Sequence, residues 1–284
     1  MVMTDVMPDA MTDMLNEILS ENDMTNDDQP LDERSARDER RLTYLQAAAQ
    51  LVLRDGFDGL TMGALAKEVG AAIGTTYGYF ESKDEILAEL QLVSMDVLVR
   101  ALVEAKAGWR STLSARGMDE TTAAIVDVLL FTEFFVQTPD AFPEEFRLQQ
   151  MQLASPDARY EPSQLEALSA AGRRMVAAPL EAIMRLAETE PRFEGDSLSR
   201  TLELVLGLNG VALVRNLSSA REYFDVPEVS RRLSADMLVG WGATRAEVEA
   251  ALELIRPVVD TTPLTAFDSH TSKRLANLST HASV

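Results

Sequence analysis

The sequence predicts an all-α fold: an N-terminal three-helix helix-turn-helix unit followed by a larger helical bundle. Three observations lead there. From Arg37 to about residue 260, apolar residues recur three and four apart, which is the period of an α-helix. Residues suited to starting or stopping helices stand at the ends of these runs: Gly56, Thr61, Gly70, Ser82 and Thr244. Strand-like alternation and hairpin dipeptides are absent throughout.

Taken in order, residues 1–33 hold ten acids and no base, half of the chain's net charge of −20. Residues 1–36 therefore read as a disordered acidic tail. Leu42, Leu45, Ala49 and Val52 form the stripe of a first helix that stops near Gly56. Thr61 caps a second, Met62 to Val69, and Gly70 permits a sharp turn into a third from about Ile73 to Phe80. Ser82 caps a fourth with a long stripe: Ile86, Leu87, Leu90, Val93, Val97 and Leu98. Further helices are expected over roughly 121–137, 142–154, 163–188 (broken or kinked at Pro179), 196–217, 227–240 and 245–260. The Ser/Thr/Ala-rich end has no periodicity. The expected division is a tail over 1–36, a helix-turn-helix domain over 37–85, a helical domain over 86–260 and a disordered tail over 261–284.

Composition removes whole classes of chemistry. With no cysteine, a disulfide scaffold, a thiolate metal site and a cysteine nucleophile are excluded. The two histidines, His270 and His281, both lie in the C-terminal tail, a poor place for a triad or a metal site. No phosphate-cradling glycine motif occurs. We expect no catalytic residues, no cofactor, no metal and no enzyme activity. The first thirty residues are the reverse of a secretory signal, and the apolar run Ala123 to Val136 is interrupted by Asp127 and Glu133. The expectation is a cytoplasmic protein with no membrane partner. A charge of −20 repels phosphates, so any DNA binding must come from a local surface.

One segment supplies that surface. Helix, glycine turn and short helix over residues 57–87 match helix-turn-helix geometry, and Ile73, Gly74, Thr75, Thr76, Tyr77 and Tyr79 lie where a recognition helix meets DNA. The run Thr61…Leu65-Ala66…Gly70…Gly74-Thr75…Tyr77…Tyr79-Phe80…Ser82-Lys83…Leu87 resembles the DNA-binding signature of TetR-family transcriptional regulators, and Ala47-Ala48…Leu51…Gly56-Phe57 is similar to the family's first helix and turn.

The resemblance implies that Thr61 caps its helix and touches a phosphate. It also implies that Gly74 and Thr75 approach base edges, that Tyr77 and Tyr79 reach the backbone, and that Phe80 locks the three helices. Lys83 is implied as a phosphate contact. Three residues depart from the pattern. Ala72 lacks the usual capping oxygen, Ile73 can touch a thymine methyl but cannot donate a hydrogen bond, and Gly78, expected inside the third helix, costs it about 1 kcal/mol relative to alanine. Arg34, Arg37, Arg40 and Arg41 form either an arm along phosphates or surface pairs with Glu33, Asp38 and Glu39.

For the rest of the chain, the resemblance implies a bundle that binds a small effector and forms a homodimer through helices matched by 196–217 and 227–260. Leu198, Leu202, Leu206, Val211 and Val214 give the first of these broad apolar coverage. Polar groups inside apolar runs mark an effector site of Phe131, Glu133, Phe135, Met175 and Asn209, suited to a largely apolar small molecule. The plainer reading puts Glu133 on a solvent face and bonds Asn209 to a neighbouring helix. The function implied is a ligand-responsive regulator, a repressor that holds a palindromic double-stranded DNA operator as a dimer and is released by its effector. The alternative is a partner-binding protein that keeps the helix-turn-helix scaffold and binds DNA weakly.

Overall fold

A computed structural model describes residues 36–113, 117–153, 160–216 and 223–266. The N-terminal tail, both histidines and the side chains of Arg34 and Arg37 lie outside the described residues. Among those described there are helices and turns and no strand.

Three helices and the start of a fourth make the N-terminal head. Helix α1 spans Ala36–Gly59 and kinks at Gly56 (φ 77°), where the sequence placed its end. Helix α2 is Met62–Val69, started by the Thr61 hydroxyl, which accepts from the Ala64 amide at 3.0 Å, and ended by Gly70 at φ 71°. Only a residue without a side-chain penalty sits comfortably there, so the chain can fold back at once into α3, Ile73–Tyr77. Helix α3 is shorter than expected. Gly78 lies at its C-terminal boundary, and tight bonds from the Gly78, Tyr79 and Phe80 amides to Thr75 and Thr76 carbonyls turn the chain inward. The mid-helix cost assigned to Gly78 therefore does not apply.

Helix α4, Lys83–Leu113, starts where Ser82 accepts from the Glu85 amide at 3.1 Å. It runs from the head into the body. Its first turns share a core with Tyr44, Leu45, Val52, Leu60, Leu65 and Phe80, while Val97, Leu102, Trp109 and Leu113 belong to a second, larger core.

That larger core surrounds α5, Glu120–Ala141, which packs against α4, α7 (Pro162–Thr189), α9 (Val226–Gly240) and α10 (Arg245–Thr261). Helix α5 is long and apolar enough to cross a membrane by composition, but its apolar window is mostly enclosed by its neighbours. A helix apolar on all sides is what a central position demands. Helix α7 is continuous through Pro179, so the expected break is absent. The helices expected over 227–240 and 245–260 are α9 and α10, joined at Trp241–Thr244. The C-terminal boundary also needs correction. Helix α10 runs to Thr261, and Leu264 is fully buried, its amide bonded to the Gln137 side chain at 2.7 Å. Disorder from residue 261 is thus excluded as far as Ala266.

Helix α6, Pro143–Leu153, joins the two parts. It packs on α4 and α5 and also touches α1, delivering Leu148 to the head's core. Helix α8, Ser197–Leu213, lies over α7 and α9.

Candidate nucleic-acid interface

The head presents α3 to the outside on a rigid base. Ile73 and Tyr77, one turn apart, are 53% and 52% exposed, and Ala72, Gly74, Thr75 and Gly78 beside them are exposed as well. Thr61 opens α2 in the open, and Lys83 stands half-buried at the first position of α4. These residues stand on α3 and at the starts of α2 and α4, all but Lys83 exposed.

Two of the expected contact residues face elsewhere. Thr76 is fully buried and its hydroxyl has no hydrogen-bond partner, so its side chain cannot reach a nucleic acid. The helical period explains this: Ile73 and Tyr77 take the outer face, and Thr76 falls on the inner one. Tyr79 is half-buried and packs on Tyr44, ring centroids 5.0 Å apart, with Phe80 buried behind it. Ala72 caps α3 with no side-chain bond, as its methyl requires.

The base of the head is held by Arg41, for which the sequence left two readings open, an arm along phosphates or a surface pair; the structure shows neither. Arg41 lies over the Phe80 ring, 4.1 Å from its centroid. Its guanidinium donates to Glu85 at 2.8 Å, to both oxygens of Glu89 and to the Tyr79 carbonyl. Burial opposes its charge, yet the bonds to Glu89 and Glu85 hold the guanidinium pKa above its ordinary value. A signal existed in the sequence: Arg41 falls three and four residues before Tyr44 and Leu45, on the apolar side of α1, and Glu85 and Glu89 share one face of α4. Arg40 is exposed. Arg54 pairs with Asp55 at 3.0 Å and Glu68 at 3.3 Å on the surface.

Each of the proposed effector residues has partners within the protein. Glu133 is buried and accepts two bonds from Arg231 of α9, at 2.6 and 3.0 Å, which overturns its placement on a solvent face. Phe131 is buried and Met175 packs against the same core. Phe135 packs edge-on against Phe146 of α6, centroids 5.9 Å apart. Asn209 accepts from Gln150 of α6 at 3.0 Å and donates to the Val205 carbonyl at 2.9 Å, the plainer of its two readings. A cavity of about 220 Å³ lies instead between the end of α4 and the start of α5, lined by Arg110, Leu113, Gly117, Met118, Val126 and the buried Asp127. Asp127 is matched there by Arg110 at 3.2 Å and by Arg185.

A short helix offered outward by a tight glycine turn, on a compact head joined to a helical body, is the arrangement of a helix-turn-helix DNA-binding protein. Residues 45–90 match the family profile described as bacterial regulatory proteins, tetR family. Over these residues the head matches the DNA-binding domain of the TetR family of transcriptional regulators. No curated protein matches the chain. Among solved structures it is similar to the fatty acid degradation regulator FadR from Bacillus halodurans, at 17% identity and a TM-score of 0.51, covering 72% of this chain and 97% of that one. It is also similar to the transcriptional regulator FadR from Bacillus subtilis in complex with stearoyl-CoA, at 14% identity and a TM-score of 0.50, covering 70% and 98%. The TetR-family regulator PfmR from Thermus thermophilus matches at 20% identity and a TM-score of 0.48, over 69% and 97%. At these identities the first two likenesses carry the fold alone.

Proposed function

We propose that the chain is a ligand-responsive transcriptional repressor that binds a palindromic operator as a homodimer in the cytoplasm, without enzyme activity. The observation that carries this reading is the outward face of α3 in a head whose residues 45–90 match the family's DNA-binding domain. Ile73, Gly74, Thr75 and Tyr77 serve the groove, while Thr61, Tyr77 and Lys83 serve phosphates.

A second copy of the chain suits α8. Leu202, Leu206 and Leu213 are 39%, 66% and 41% exposed, and Val229 of the adjoining α9 is 37% exposed. Leu198 faces the core instead. Gly207 allows α8 and α9 to approach closely, since a Cβ there would meet Leu233 at 3.0 Å and Met237 at 3.2 Å. An apolar face built across two closely packed helices favours self-association, and a dimer supplies the two half-sites that operator specificity needs. We propose a largely apolar small molecule as effector. The stearoyl-CoA bound to the Bacillus subtilis protein offers a long apolar acyl chain of this kind, on a charged coenzyme A headgroup. Effector binding in the body then changes the spacing of the two heads relative to the half-site repeat.

The test is selection of bound fragments from the source genome by purified protein at low and moderate salt, with a Tyr77→Ala/Lys83→Ala control. Enriched fragments sharing a palindrome and lost in the control are expected. A folded protein that enriches nothing at either salt overturns the reading and favours the partner-binding alternative.

A further inference from the structure

The outward face of α3 has an unusual chemistry for a surface that reads DNA. Its exposed members are Ala72, Ile73, Gly74, Thr75, Tyr77 and Gly78. None carries an amide, a guanidinium or an ammonium group on its side chain, so the side chains that recognise guanine or adenine through paired hydrogen bonds are missing from the face. The cations of the head whose side chains are described stand elsewhere: Arg40 on α1, Lys67 on α2, Lys83 at the start of α4, Arg54 in surface pairs and Arg41 inside the Glu85–Glu89 clasp. Those on the outer surface can hold phosphates, but phosphate contacts carry no sequence information directly.

What the face does offer is an isoleucine more than half exposed at the first position of α3. Its Cδ1 lies close to Gly63 of α2, 3.9 Å from where a Cβ there would stand, so that end is braced without being covered. Thr75 adds a methyl group two residues on. In the major groove the one apolar mark on a base pair is the C5 methyl of thymine. We propose that Ile73, seconded by the Thr75 methyl, is the specificity-determining residue of the head, and that it reads thymine by its methyl group.

The inference rests on the DNA-binding reading, and the experiment separates the two. A duplex that the protein binds specifically is rebuilt with deoxyuridine replacing thymine one position at a time, which deletes only the methyl. Burying one such group against isoleucine is worth about fourfold in affinity per half-site, and on the order of tenfold when both half-sites are changed. The expected result is a loss of that size at one or two thymines, symmetric about the operator centre. Ile73→Ala protein should bind the thymine duplex correspondingly less well and become indifferent to the same replacements. Being exposed, Ile73 can be shortened without opening the core. A specifically bound operator whose affinity is unchanged by deoxyuridine at every position overturns the assignment to Ile73 while leaving DNA binding in place. Absence of any specifically bound duplex overturns both.

Discussion

Replacing Arg41 by methionine keeps a flexible apolar stem over Phe80 and removes the charge that joins α1 to α4. The guanidinium meets two carboxylates and a carbonyl, and the side chains of Arg41, Glu85 and Glu89 are 30%, 26% and 29% exposed. They lie between the regime of surface pairs, worth about 0.2–1 kcal/mol, and that of buried pairs, whose disruption costs about 3–5 kcal/mol. The loss also leaves Glu85 and Glu89 as like charges one turn apart, which adds about 0.3 kcal/mol or more. We expect about 2 kcal/mol, confined to the head. The measurement is amide hydrogen exchange followed by mass spectrometry, with the body as internal reference. Peptides from α1 to α3 should exchange about thirty times faster, since each 1.4 kcal/mol is about tenfold, while peptides from α5 and α9 keep their protection. Head protection within twofold of the parent refutes the reasoning. As a further check, adding Glu89→Gln to Arg41→Met should cost less than the sum of the two single changes.

Glu145, buried in the first turn of α6, has its pKa raised to about 7 by burial, with Glu144 adding to the shift. A raised carboxylate pKa means that the folded state holds the proton more tightly, so stability is full below about pH 4.5 and is lost as pH rises towards 7. Glu145→Gln should therefore match the parent at pH 4.5 and exceed it at pH 8, by at most about 3 kcal/mol, in urea denaturation at the two pH values. Leu206→Glu places a charge in the exposed face of α8 and should turn the proposed dimer into a monomer in sedimentation velocity, with unchanged circular dichroism, whereas a parent protein that sediments as a monomer would refute the dimer. Thr76→Val replaces a buried, unpartnered hydroxyl by a methyl of similar shape. Its melting temperature should equal or exceed the parent's and its DNA affinity should stay the same, whereas a weakened operator complex would return Thr76 to the interface.

The helices were legible because their ends carry local chemistry. Thr61, Gly70, Ser82 and Thr244 act where their types predict, through bonds reaching no further than five residues. The inner and outer faces of α3 were less legible, because five residues give too short a run to fix a phase. Thr76 and Tyr77 are neighbours in sequence, and only the folded head shows that one is enclosed and the other free. Long-range partners were least legible of all. Glu133 finds Arg231 across 98 residues, and Arg41 finds Glu89 across 48. A charge inside an apolar run announces that a partner exists without naming it. For the same reason Glu133 and Asn209 could be singled out as polar interruptions while their partners, Arg231 and Gln150, could not be named.

Helix α4 is a single uninterrupted element of 31 residues, rooted at one end in the core of the head and at the other in that of the body. At 1.5 Å per residue it is about 46 Å long, so a tilt of about 5° at its body end displaces the far end by about 4 Å. That travel is close to the rise of about 3.4 Å between successive base pairs along one strand. The chain therefore has a mechanical gain built into its backbone. A change in side-chain packing near Trp109 that tilted α4 by this much would carry the head through about one such step.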